Sequence, residues 1–219
     1  MTESRSGTRT PIDWRSRLPL IAILRGITPT EVVDHVAALV DAGFEAIEVP
    51  LNSPAWEDSI ARTLDRFGGS TLIGGGTVLR AADVDRLAGL GARLAVTPNT
   101  RPALIEHAVA AGLEVVAGFA TPSEAFDAID AGAQALKLFP ATTCGPGFVR
   151  AVRAVLPPSL PLFAVGGITP DNLADYVAAG CLGAGLGSDL YRPGQPVAQT
   201  VERARRFVAA CRAAGGSSR

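Results

Sequence analysis

TPSEAFDAIDAGAQALKLFP, residues 121–140, carries one complete structural unit. Thr121 is a helix-capping residue, Pro122 suits a first helical turn, and Glu124 puts an acid where the helix dipole favours one. Small and apolar residues continue to Ala131, and Gly132 supplies the left-handed conformation that ends a helix. The apolar run 135–140 follows. It is short and bounded, as expected of a strand in a parallel sheet covered on both faces.

The unit recurs along the chain. Asp41-Ala42-Gly43 precedes the run 45–51, Leu90-Gly91 precedes 94–98, Ala111-Gly112 precedes 114–118, and Ala179-Gly180 precedes 181–187. Helix starts recur at Thr28-Pro29 with Glu31 and at Thr169-Pro170-Asp171. The spacing predicts strands over 20–25, 46–51, 72–77, 94–98, 115–119, 135–139, 162–165 and 182–186. A helical stretch follows each, the last over 197–214. Eight such units favour an α/β fold in one domain, a closed (β/α)8 TIM barrel rather than an open doubly wound sheet. A short N-terminal helix over 13–17 is expected to cover the bottom of the barrel. The barrel is expected to span 11–214, between a disordered start (1–10) and a flexible tail (215–219).

Composition narrows the function. The 219 residues are 47% hydrophobic and only 5% aromatic, enough to bury a sizeable core. Twenty basic and 21 acidic residues leave a formal charge of −1, a field that advertises neither nucleic acid nor membrane as a partner. Cys144, Cys181 and Cys211 are odd in number, widely spaced and without a CxxC pair. That argues against a disulfide framework and a zinc cluster, and for a reducing compartment. The polar first ten residues contain no apolar segment of signal-peptide type, and Gly, Pro or a charge interrupts every apolar run short of a bilayer span. A soluble, cytoplasmic protein is expected.

Nineteen of the twenty basic residues are Arg, and the other is Lys137. A coding bias explains why lysines are scarce but not why one remains inside an apolar strand. Period-2 alternation turns Ala135, Lys137 and Phe139 into the barrel, together with Ala46, Glu48 and Pro50. One ammonium and one carboxylate thus share a small interior. A buried structural ion pair is the competing reading, but such pairs seldom outperform apolar replacements, and this chain would more naturally use Arg for one. The functional reading is that an amine is needed here as a nucleophile, which a guanidinium cannot be, and desolvation raises the fraction of free amine able to attack a carbonyl. Lys137 is therefore the candidate Schiff-base nucleophile and Glu48 the candidate proton shuttle.

The other candidates also fall at strand ends, where such barrels keep their chemistry. Arg25 and Thr77 are placed to hold a substrate carboxylate, Arg25 as a fork donor and Thr77 through its hydroxyl or backbone. A rim salt bridge is the alternative for Arg25. Val165-Gly166-Gly167-Ile168-Thr169-Pro170 and Gly183-Ala184-Gly185-Leu186-Gly187-Ser188 lie at adjacent strand ends. There Gly166, Gly167, Gly187 and Ser188 present backbone amides to a phosphate; tight βα turns are the alternative. Gly74-Gly75-Gly76 suggests a close backbone approach to a ligand. His35 and His107 read as packing or surface residues, Arg203, Arg205, Arg206 and Arg212 as a solvated helix face, and nothing resembles a metal site.

The stretches LPLIAILRGITP (18–29), EVPLNSP (48–54), IGGGTVL (73–79), VTPN (96–99), ALKLFPA (135–141), AVGGITPDN (164–172) and GAGLGSDLY (183–191) carry a resemblance. In consistent order over about residues 14–212, they resemble the 2-keto-3-deoxy-6-phosphogluconate and -phosphogalactonate aldolase family. The likeness is closer to the phosphogalactonate branch, since the other branch has Thr and Arg where this chain has Pro50 and Asn52, and Thr where it has Val165. The resemblance implies a class I aldolase on a homotrimeric barrel, with no metal and no cofactor, that releases pyruvate and D-glyceraldehyde 3-phosphate. Lys137 matches the Schiff-base lysine and Glu48 the general acid/base. Arg25 and Thr77 match positions near the pyruvyl carboxylate, and Gly166, Gly167, Gly187 and Ser188 match the phosphate end. Gly75, in place of the more usual Ala, and Phe119, in place of smaller residues, depart from the pattern. The phosphogluconate substrate is the nearest alternative, and a phosphosugar isomerase or epimerase without an imine is a more distant one.

Overall fold

The computed structural model describes residues 12–215. Its strands are β1 Leu20–Ile23, β2 Ala46–Pro50, β3 Leu72–Gly76, β4 Leu94–Val96, β5 Glu114–Phe119, β6 Ala135–Leu138, β7 Leu162–Val165 and β8 Gly183–Leu186. Helices α1 Val32–Ala42, α2 Trp56–Phe67, α3 Ala81–Gly89, α4 Pro102–Ala110, α5 Pro122–Asp130, α6 Ala141–Arg153, α7 Leu173–Ala178 and α8 Val197–Ala213 alternate with them. Each strand pairs in parallel with its neighbour in the chain, and β8 returns to β1, so the sheet is the predicted closed (β/α)8 barrel. The expected disorder over 1–10, and the tail beyond Gly215, lie outside the described residues.

Strand alternation divides the apolar residues into two cores. Ile47, Val49, Leu136, Leu138, Leu162 and Ala164 point outward into the layer shared with the helices. Ile21, Ile23, Ala46, Val96, Val116, Ala135, Phe163 and Val165 fill the barrel interior. Glu48 and Lys137 alternate with the outward residues of their strands and so enter that interior, as the sequence pattern requires.

Local signals place the helices with differing accuracy. At α5 Thr121 makes the full capping box: its Oγ1 accepts from the Glu124 amide while the Glu124 carboxylate accepts from the Thr121 amide. At Thr28-Pro29 the predicted helix begins as a turn, in which Thr28 N–H donates to Glu31 Oε1 at 3.2 Å, and α1 proper starts at Val32. Gly145, at φ 76° ahead of Pro146, kinks α6 near its start.

The expected helix over 13–17 is absent. Those residues form a turn in which Asp13 Oδ1 accepts from Arg15 N at 3.0 Å and the Asp13 carbonyl accepts from Ser16 Oγ at 2.9 Å. Five residues ahead of Pro19 cannot repay helix nucleation, so these local bonds win. The turn nevertheless covers the barrel bottom. Trp14 inserts beneath the strands, meets Phe163 edge-to-face at 5.0 Å and donates from Nε1 to Glu114 Oε1 at 2.8 Å. That contact explains why β5 begins at Glu114, one residue before the predicted strand.

Candidate active site

Lys137 lies on β6 beside Gly118 of β5 and Phe163 of β7, and it is 6% exposed. Glu48 lies on β2 beside Ile23 of β1 and Gly74 of β3, and it is 2% exposed. The pair forms no ion pair within 4.0 Å, yet each side chain still feels the other's charge. Burial pushes the Glu48 carboxyl up to about 7, partly offset by the positive charges of Lys137 and Arg25. Burial also lowers the Lys137 pKa; Glu48 opposes that shift and Arg25 adds to it. The Lys137 Nζ sits 5.2 Å from the centroid of the Phe139 ring, itself a large apolar side chain at the rim. The Glu48 carboxyl is thereby held close to the protonation balance that proton exchange near neutral pH needs, while burial shifts Lys137 toward the free amine.

Arg25 lies two residues beyond the end of β1, and Thr77 directly follows β3. The structure brings them together. Arg25 Nη2 donates to Thr77 Oγ1 at 3.3 Å, and Arg25 Nη1 donates to Asn52 Oδ1 at 2.7 Å. Thr77 sits at φ 56°, a left-handed conformation that costs a β-branched residue free energy and often marks a working site. Asn52 was a branch marker in the sequence but not a candidate. Its link to Arg25 spans 27 positions and exists only once the barrel closes.

Along the same rim, Gly166 and Gly167 follow β7 at φ 102° and 73°, and Gly187 and Ser188 follow β8, the neighbour of β1. The amides of all four have no hydrogen-bond partner among the described residues. A side chain at Gly167 would strike Thr142, whereas one at Gly187 would enter open space. Arg192 Nε and Arg203 Nη1 both donate to the Ser188 carbonyl, at 2.9 and 3.3 Å. Arg203 is thus a brace for this loop, not part of the expected solvated face; Arg205, Arg206 and Arg212 are exposed as expected. His35 is a packing residue, buried with Nδ1 2.8 Å from Thr200 Oγ1, and His107 pairs with Asp85 at the surface.

The glycine run on β3 makes room for the protein's own atoms. Side chains at Gly74 and Gly75 would collide with the Leu94 carbonyl and with Leu87 and Leu51, and one at Gly76 would fall on the Glu48 carboxylate. Among the described residues, no group of three or more His, Cys, Asp and Glu side chains is arranged to hold a metal ion, and no helix is long and apolar enough to cross a membrane.

A buried amine and a buried carboxylate facing one interior, at the C-terminal mouth of a (β/α)8 barrel, suit carbonyl chemistry, the class that includes the aldolases. The chain belongs to the family described as "Aldolase: KDPG and KHG aldolase", which matches residues 13–204, and it is accordingly a carbon–carbon lyase. It is 55% identical over 203 residues to the 2-dehydro-3-deoxy-6-phosphogalactonate aldolase of Escherichia coli (strain K12), covering 93% of this chain and 99% of the relative. Identity to the KHG/KDPG aldolase of the same organism is 29% over 175 residues, covering 76% and 81%. A solved structure described as native KDPGal superposes with a TM-score of 0.92 at 54% identity, covering 94% of this chain and 100% of the other.

Proposed function

We propose that the protein cleaves 2-keto-3-deoxy-6-phosphogalactonate, also named 2-dehydro-3-deoxy-6-phosphogalactonate, to pyruvate and D-glyceraldehyde 3-phosphate through a Schiff base on Lys137. The observation that carries the chemistry is the buried Lys137–Glu48 pair held short of direct contact. The choice of substrate is supported by 55% identity to the phosphogalactonate enzyme against 29% to the KHG/KDPG enzyme of one organism.

In this reading Lys137 Nζ attacks the C2 ketone, and Glu48 supplies the proton that lets the carbinolamine lose water. The iminium then acts as an electron sink. Glu48 removes the C4 hydroxyl proton, the C3–C4 bond breaks, its electrons pass into an enamine, and glyceraldehyde 3-phosphate departs. Protonation of the enamine carbon and addition of water to the imine release pyruvate and regenerate the lysine. Arg25, oriented by Thr77 and Asn52, receives the substrate carboxylate. The amides of Gly166, Gly167, Gly187 and Ser188 receive the phosphate.

Sodium borohydride with pyruvate tests the covalent step. A mass increase on the Lys137 peptide is expected, and an unlabelled Lys137 refutes the Schiff base. Turnover of the two C4 epimers then separates the phosphogalactonate from the phosphogluconate reading. A homotrimer acting in the cytoplasm in galactonate breakdown completes the proposal. Light scattering should give three times the 22.5 kDa chain mass.

A further inference from the structure

Gly76 needs no special backbone conformation, for its φ is not among the positive values of the chain. A glycine inside a strand is less stable there than alanine would be, so a missing side chain calls for a spatial reason. That reason is Glu48. A Cβ built on Gly76 has as its three nearest atoms Oε2, Cδ and Oε1 of Glu48 and falls within the carboxylate itself. Gly74 and Gly75 make room for other neighbours, so Gly76 is the residue of the run that answers to the acid. Glu48 Oε2 is buried in that notch without a hydrogen-bond partner. The charged groups acting on the carboxylate face it from elsewhere: Lys137 on β6 and Arg25 beyond β1. The inward residues of β3 are Leu72, Gly74 and Gly76, none of them charged.

We infer that Gly76 is a positioning residue whose missing side chain draws the Glu48 carboxylate toward β3 and holds it apart from the Lys137 amine. The inference rests on the proposed roles of Lys137 and Glu48. Contact between them would trap an ammonium–carboxylate pair, with the amine protonated and the acid ionised. Separation leaves the amine able to attack and the carboxyl able to give and take a proton. Filling the notch moves the carboxylate back toward the two cations, which lowers its proton affinity and raises that of the lysine.

The test is a cycle of wild type, Gly76→Ala, Glu48→Asp and the double variant, read by the pH profile of kcat/KM and by the rate of pyruvate–borohydride trapping. In Gly76→Ala the acid limb should move down by about one pH unit or more, and trapping near neutral pH should slow at least about tenfold. Asp is one methylene shorter and withdraws the carboxylate from the introduced methyl. Glu48→Asp should therefore cost less in the Gly76→Ala background than in wild type. Should Gly76→Ala fail to fold, the double variant should regain the fold, because the three atoms nearest the introduced carbon all belong to the Glu48 carboxylate. A wild-type pH profile in Gly76→Ala, multiplicative losses in the double variant, or a double variant that also fails to fold overturns the inference. Wild-type enzyme that pyruvate and borohydride do not label at Lys137 overturns the Schiff-base reading instead, so the two failures are distinguishable.

Discussion

Replacing Glu48 with Gln should abolish turnover and, above neutral pH, remove a stability cost. The carboxyl has an ordinary value of 4.5 and rises to about 7 in the folded protein because burial disfavours its charge. The folded state therefore binds this proton more tightly than the unfolded state does. Stability falls as pH rises through the window from 4.5 to about 7, and the loss is complete above it. The gap of about 2.5 units, at 1.36 kcal/mol per unit, corresponds to about 3 kcal/mol. Gln cannot ionise and escapes that cost. Its amide, placed where Oε2 has no partner, adds a penalty of about 1–3 kcal/mol that does not vary with pH. The quantity to follow is thus the difference between the two stability curves, measured by equilibrium urea unfolding or calorimetry from about pH 4 to about pH 8. It should shift in favour of Glu48→Gln by about 3 kcal/mol across that range, or about 6–12 °C in Tm for a domain of this size. In a Lys137→Met background the shift should widen, because the cation that holds the Glu48 pKa down is gone. Parallel curves for wild type and Glu48→Gln would show that the carboxyl is not proton-biased in the fold and would refute the electrostatic account of the site.

Lys137→Arg keeps a positive charge and loses the amine, so the variant should show native circular dichroism, no borohydride label and no aldehyde release. Gly187→Ala places a methyl in open space beside the amides of the β8 rim and should leave folding and pyruvate trapping unchanged. The same variant should raise KM for the phosphorylated substrate about tenfold to a hundredfold, the equivalent of one charge-assisted contact. Trp14→Phe removes the donor to Glu114 Oε1 beneath the barrel; a loss of about 1–3 kcal/mol is expected in urea unfolding, with kcat unchanged.

Much of the molecule is legible in its sequence because the barrel is built from local rules repeated eight times. Thr121 and Glu124 meet as a capping box across three residues, Gly43 and Gly132 take the positive φ their position demands, and alternation suffices to turn Glu48 and Lys137 inward. Legibility falls where contacts cross the barrel. The predicted strands 20–25 and 94–98 end at Ile23 and Val96; the last backbone bonds to the neighbouring strands run from Leu24 N to the Glu48 carbonyl and from Thr97 N to the Val116 carbonyl, and side-chain contacts take over beyond them. Arg25 turns to Asn52 and Thr77, and Thr97 Oγ1 donates to the Asn99 carbonyl. The same limit hides the partner of Gly76. Three successive glycines announce a close approach, but only the pairing of β2 with β3 reveals that Gly76 approaches the Glu48 carboxylate. For 13–17 the helical reading failed against short-range bonds, yet Trp14 performs the covering role expected of that segment.

The features that lower stability gather at one end of the barrel. A carboxyl with its pKa raised, an amine with its pKa lowered, an unpartnered Oε2 and a threonine at φ 56° all lie at the mouth formed by β1, β2, β3 and β6. The opposite end is plugged by Trp14, whose ring packs on Phe163 and whose indole satisfies Glu114. Two buried carboxylates on inward strand positions thus meet opposite treatment. Burial raises the pKa of both, but Glu114 receives hydrogen bonds from Trp14 and Ile12 that favour its charged form, while Glu48 receives none at Oε2. On the proposed reading, the partner missing at Glu48 Oε2 is a substrate proton.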